Sequence, residues 1–189
     1  ARRASTFVLG GDIFYFRWST VGSHRQTVEA ASDWLESLLK SAPDCRIHLL
    51  LGNHDHHQTL IDRLKCLAAD HDNFNWDAYL LRIGNNVFLH GDAADGDGSH
   101  DRLVAARETG HDHRRRGPAA NAAYDAVLKT RVHRAIPVVA YPKRRTARRL
   151  LRYLDQVGHG KETEVRDIYF GQTHRPVENY DCDGVTFPN

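Results

Sequence analysis

The chain alternates short apolar runs with amphipathic stretches, and the first run, Thr6-Phe7-Val8-Leu9, comes almost at once. Ser23 has the residue type of a helix N-cap, and Val28, Ala31, Trp34, Leu35, Leu38 and Leu39 recur at helical spacing before Pro43 stops the segment. The run over 46–51 predicts a buried strand. A second helix is expected over 59–69, with Leu60, Ile61, Leu64 and Leu67 facing inward. Strand, helix, strand, helix is the α/β pattern. Residues 78–83 and 87–89 flank the turn-prone Gly84-Asn85-Asn86, which predicts an antiparallel hairpin. Beyond Ala93 a polar loop opens and three helical segments follow, over 102–108, 119–133 and 144–157. Strand 165–170 then returns to the sheet, and 176–180 with 185–187 make a terminal hairpin about Asp183-Gly184. The expected organisation is a single domain, 1–189, interrupted by a helical cap insertion over 93–161.

The polar residues just after four of these runs carry the chemistry. Gly10-Gly11-Asp12, Gly52-Asn53-His54-Asp55, His90-Gly91-Asp92 and Gly171-Gln172-Thr173-His174 each follow a predicted strand, where open α/β sheets place their ligands. A carboxylate, amide oxygens and imidazoles gathered in one pocket suit a borderline or hard divalent cation, Mn²⁺ before Zn²⁺ or Fe²⁺. Two such ions bridged by one carboxylate can bind phosphate oxygens and stabilise an in-line displacement. Asp12, a short carboxylate on a Gly turn, is the expected bridge. Asp92 is expected to orient His90, and His56 and His57 are expected to be exposed loop residues. His111-Asp112-His113, beside Arg114-Arg115-Arg116, is read as surface loop, and Phe14, Phe16 and Trp18 as core or pocket wall.

Composition narrows the picture only a little. The chain has 189 residues, enough for one substantial core, and its net charge of +2 is close to balance. The arginines, however, cluster at 114–116 and from Lys143 to Arg152, a local basic surface suited to a phosphate-bearing partner. That surface lacks regular aromatic interleaving, which argues against nucleic acid and leaves a phosphorylated small molecule, a lipid-linked phosphate or peripheral membrane contact. Three scattered cysteines give neither a zinc knuckle nor a disulfide framework, so a reducing, cytoplasmic compartment is expected. No apolar stretch approaches the length of a membrane span.

In chain order, Gly-Asp, Gly-Asn-His-Asp, His-Gly-Asp and Gly-x-Thr-His resemble the motifs of the calcineurin-like metallophosphoesterase superfamily. The layout, with its helical insertion and its Thr-His-Arg-Pro ending, is similar to the branch that contains UDP-2,3-diacylglucosamine hydrolase. The resemblance implies a β-sandwich flanked by helices and two divalent metal ions, with a metal-bridged hydroxide attacking a phosphoester or pyrophosphate, in this branch that of a nucleotide-sugar lipid. It also implies that Asp12 bridges the metals, that Asn53, His90 and Gln172 hold the second, and that His174 holds the first. His54 would protonate the leaving group, Asp55 would orient the His54 ring, and Arg175 would contact a substrate phosphate.

Three departures from that pattern stand out. The Asp-x-His strand of the superfamily does not precede Asp12. Because the chain also contains no Met, a further N-terminal segment is expected. Gln172 stands where the superfamily has a histidine ligand, and an amide oxygen is the weaker donor for zinc. Tyr15 stands where a carboxylate is common. These departures motivate the alternative of a degenerate member that serves as a binding or scaffolding protein.

Overall fold

The computed structural model describes residues 4–110, 117, 140–173 and 177–188. They form a mixed α/β structure with two sheets and no closed barrel. In the first sheet the order is β1 (Thr6–Gly10), β2 (Arg46–Leu50), β3 (Phe74–Asp77), all parallel, with Leu9 opposite Leu49 and Leu49 opposite Trp76. Helices α1 (His24–Ser41) and α2 (Gln58–Asp70) make the crossovers. The second sheet contains β4 (Leu80–Ile83), β5 (Asn86–Leu89), β6 (Asp167–Tyr169), β7 (Tyr180–Cys182) and β8 (Val185–Phe187), in the order β4-β5-β6-β8-β7. Its two hairpins are antiparallel, whereas β5, β6 and β8 run parallel. Helices α3 (His100–Gly110) and α4 (Lys143–Gln156) lie between β5 and β6 in the chain.

Local chemistry accounts for these elements. Ser23 caps α1 in a capping box: its side chain accepts from the Gln26 N–H, and the Gln26 side chain accepts from the Ser23 N–H. Val28, Ala31, Leu35 and Leu39 then bury one stripe of α1 against Leu9, Ile47 and Leu49. Trp34, expected in that stripe, is instead 45% exposed, with its ring edge against Phe14. Phe16 belongs to this core, and the side chain of Trp18 lies outside the described residues. Strand β2 is central in its sheet, so its apolar residues run nearly without interruption. Strand β3 was not expected, although Phe74, Asn75, Trp76 and Asp77 alternate as a half-buried strand should.

The second sheet has its own core. Ala147, Leu150, Leu151 and Leu154 of α4 pack with Val87 and Leu89 of β5, Ile168 of β6 and Phe187 of β8. Of the segment expected as a cap, α4 therefore contributes buried residues to this core, and the helix expected over 119–133 lies outside the described residues, as do His111 to Arg116. Among the described residues no helix is long and apolar enough to cross a membrane.

Helix α3 has a weak apolar face, with Leu103 and Arg107 buried. Arg107 is the tie. Its Nε and Nη2 each donate to Asp92 at 2.8 Å, its Nη1 donates to the Ala78 carbonyl, and its guanidinium lies 5.1 Å from the centre of the Tyr79 ring. A buried ion pair stabilises little over an apolar pair of the same shape, but removing one partner strands the other. Arg107→Met is therefore expected to cost about 3–5 kcal/mol in urea unfolding, and Arg107→Met with Asp92→Leu clearly less. Equal losses in the single and double variants would contradict this reading.

Candidate metal centre

The C-terminal ends of β1 and β2 meet those of β5 and β6, and three of the expected residues, Asp12, His90 and Gln172, converge there. Asp12 follows β1 at φ 55°, a left-handed conformation that aspartate tolerates better than most residues. Its Oδ1 accepts from the His54 backbone N–H at 2.9 Å, and its Oδ2 lies 3.2 Å from His90 Nε2. His90 follows β5, with its side chain 5% exposed. Its Nδ1 is 3.1 Å from the Gly10 carbonyl, and its Nε2 is 2.8 Å from Gln172 Oε1. The Gln172 amide in turn donates to Asp95 at 3.0 Å. Asn53 lies in the turn after β2 and lines a cavity, and its Oδ1 is buried without a hydrogen-bond partner among the described residues.

Two glycines make this approach possible. A Cβ on Gly52 would sit 2.1 Å from Asp12 Oδ1, and one on Gly11 would sit 2.6 Å from His90 Nδ1. Gly11 also has φ +92°, so a side chain there is excluded twice. The Gly-rich strand ends serve close packing of polar side chains, which simple turns would not require.

Several residues take other roles than expected. Asp55 does not orient the His54 ring: it is fully buried and accepts the Gly52 N–H at 2.5 Å and the Ile13 N–H at 2.9 Å. Both oxygens are thus used to fasten the β2 turn to the segment after β1. Burial pushes its pKa up to about 6, the Asp12 charge adds to this, and the two amide bonds oppose it. The His54 ring stacks on Tyr15 with centroids 4.4 Å apart, and its Nε2 lies 3.9 Å from Asp12 Oδ2. Asp92 is engaged by Arg107, and the group that orients His90 is the Gly10 carbonyl. His57 is half-buried and caps α2, its Nδ1 accepting from the Thr59 N–H, while His56 is also half-buried. His174 and Arg175 lie outside the described residues.

Sequence reasoning missed Asp95 and Arg102, which with Asn53, Asp92, Ser99 and Arg107 line a cavity of about 300 Å³. Neither sits in a recognisable motif, and only the path of the chain after β5 brings them beside Asn53.

Among the described residues, no group of three or more His, Cys, Asp or Glu side chains is placed to hold a metal ion. The donors that do converge are Asp12, His90 and the Gln172 amide. Around His90 Nε2 the neighbouring oxygens stand at 2.8 and 3.2 Å. Adjacent ligands of one octahedral cation with bonds near 2.1 Å stand about 3.0 Å apart, a spacing these hydrogen-bonded donors share. The orphaned Asn53 oxygen is a further donor of the right chemical type. Compared with known proteins, the chain matches no family model, no curated protein and no solved structure.

Electrostatics show what holds this cluster together without a metal. Burial alone would lower the His90 pKa, but the hydrogen bond and charge of Asp12 outweigh it and raise the value to about 9. Burial likewise works to raise the Asp12 pKa, and His90 and His54 reverse that, leaving it below the ordinary carboxylate value. A protonated His90 therefore neutralises Asp12. Its folded pKa lies above the unfolded 6.5, so the stability it contributes is complete below pH 6.5 and is lost as pH rises through about 9. In chelator, unfolding free energy is expected to fall across that window, and His90→Gln is expected to flatten the fall; an unchanged slope in the variant would contradict the assignment. A cation that takes His90 Nε2 must displace this proton, so Mn²⁺ affinity below pH 9 is expected to rise about tenfold per pH unit.

Proposed function

We propose that the chain is a divalent-metal-dependent hydrolase of phosphoester or pyrophosphate bonds, with the β-sandwich of the calcineurin-like metallophosphoesterases. The observation that carries this reading is the convergence of Asp12, His90 and Gln172 beside the turn that bears Asn53, whose oxygen has no partner among the described residues and which lines a cavity. Mn²⁺ is the preferred occupant, because amide and carboxylate oxygens suit it better than zinc. When bound, the metal would supply Lewis acidity and a water acidic enough to attack phosphorus.

The chain's own side chains divide the remaining work. Asp12, Asn53, His90 and Gln172 hold the cation, and His174 joins them by analogy with the superfamily. Asp95 fixes the Gln172 amide so that its carbonyl oxygen, and not its nitrogen, faces His90. His54 is the candidate proton donor: its side chain is 27% exposed, and its ring is held by Tyr15 beside Asp12. Arg102 lines the same cavity as Asn53 and would neutralise a substrate phosphate, a role that Arg175 would share. The substrate class is a phosphorylated small molecule or a lipid-linked nucleotide sugar, with hydrolysis in the cytoplasm or at a membrane surface.

A second reading rests on one observation. Gln172 is bonded on both sides, to His90 and to Asp95, so the cluster is already satisfied as a purely structural polar network. The chain would then be a binding or scaffolding protein that kept the fold.

Activity on bis(p-nitrophenyl) phosphate and on UDP-sugars with added Mn²⁺ separates the two. Turnover is expected to require Mn²⁺, to fall by about 10²–10⁴-fold in His54→Ala, and to vanish in Asp12→Ala. Tyr15→Ala is expected to lower kcat more than Tyr15→Phe does. Folded protein with no turnover on any of these esters, or turnover that His54→Ala leaves unchanged, would favour the scaffold.

A further inference from the structure

Helix α4 carries a surface that the hydrolytic site does not use. Arg144, Arg145, Arg148, Arg149 and Arg152, together with Asp97, line a groove of about 540 Å³. The opposite face of the helix, with Leu150, Leu151 and Leu154, is buried in the core of the second sheet, so the orientation of the arginines is fixed. Arg149 is folded back onto the Ala94 carbonyl at 2.7 Å and Arg152 onto that of Asp97 at 3.1 Å. Arg149 is thereby half-buried, whereas Arg152 stays exposed. Arg144, Arg145 and Arg148 make no ion pair with any described residue.

This arrangement is electrostatically unfavourable on its own. Arg144 with Arg148, Arg145 with Arg149, and Arg148 with Arg152 are like-charge pairs at i,i+4 spacing, each destabilising to the helix. The first turn of α4 has three consecutive cations, no acidic residue and no side-chain cap, at the end of a helix where positive charge is disfavoured. Among the described residues, Asp97 is the one carboxylate in the groove wall. A bound anion would relieve all of these repulsions.

We propose that this groove binds a pyrophosphate-class anion, two or three linked phosphates, free or carried on a nucleotide. From Arg145 to Arg152 the helix rises about 10.5 Å, which is wider than one phosphate. Among the described residues, the wall offers guanidinium forks suited to phosphate oxygens and no aromatic face on which bases could stack. It also lacks the exposed apolar residues with which an amphipathic helix enters a membrane surface. The loop 95–97 borders both this groove and the cavity beside Asn53, so the anion would sit next to, and not in, the candidate metal centre.

Calorimetric titration of inorganic triphosphate in chelator and low salt tests this, because no cation is then present to carry the ligand at the metal centre. Saturable one-to-one binding is expected, weakening with ionic strength and falling at least tenfold in Arg144→Gln/Arg145→Gln/Arg148→Gln. Without anion, that triple variant is expected to melt no lower than the parent, since it removes repulsion and no pairing. Similar affinities for inorganic triphosphate and a nucleoside triphosphate would assign the free anion, and tighter nucleotide binding a nucleotide-borne group; either supports the proposal if the triple variant loses it. Undiminished binding in the variant would overturn it. So would binding to single-stranded RNA or anionic vesicles that triphosphate does not displace.

Discussion

Asp12 is the constraint around which the two sheets are arranged. It leaves β1 with a positive φ, takes the His54 backbone amide on one oxygen, and faces His90 from the other sheet with the other. Nothing larger than glycine fits at position 52 or 11, because the Asp12 carboxylate and the His90 ring occupy the space a side chain would need. A buried carboxylate has to be compensated, and the protonated His90 does so. One ion pair therefore decides how closely the ends of β1 and β5 can approach.

The same compensation bears on the cation proposed for these residues. A proton on His90 and a divalent cation compete for the same nitrogen beside the same carboxylate, so a site that raises the imidazole pKa through a neighbouring charge also attracts cations. Around this pair the supporting bonds come mainly from the backbone: Gly10 orients His90, and the Gly52 and Ile13 amides hold Asp55. Such bonds survive most side-chain substitutions, so the centre's geometry is robust while its charge remains sensitive. Further from the centre, Arg107 compensates Asp92 in the same way and draws α3 over the cavity.

Periodicity made most of the fold legible. The Ser23 cap, the α1 and α2 stripes, the β4-β5 hairpin and the Asp183-Gly184 turn of the terminal hairpin follow from local residue chemistry, although the first strand of that last hairpin is Tyr180–Cys182 and not the expected 176–180. Strand β3 escaped because four residues that contain Asn75 and Asp77 give little apolar signal, even though Phe74 is buried. The strand-end motifs named Asp12, His90 and Gln172, which do meet, but not how they would bond. Asp55 looked like a partner of the adjacent His54, yet its full burial made two backbone amides the better partners. Arg107 and Asp92, fifteen positions apart in the chain, and the Asp95–Gln172 contact depend on how the chain folds back after β5, and no short-range pattern encodes that.

The central claim is that a divalent cation is held by Asp12, Asn53, His90 and Gln172. Pulsed electron paramagnetic resonance of Mn²⁺ added to the chelator-stripped chain tests it most directly, because it reports nitrogen bonded to the metal. The account predicts a bound-Mn²⁺ signal with coupling to an imidazole nitrogen, and loss of the His90 share of that coupling in folded His90→Gln. A spectrum of free aqueous Mn²⁺ alone, or nitrogen coupling unchanged in the variant, would contradict it.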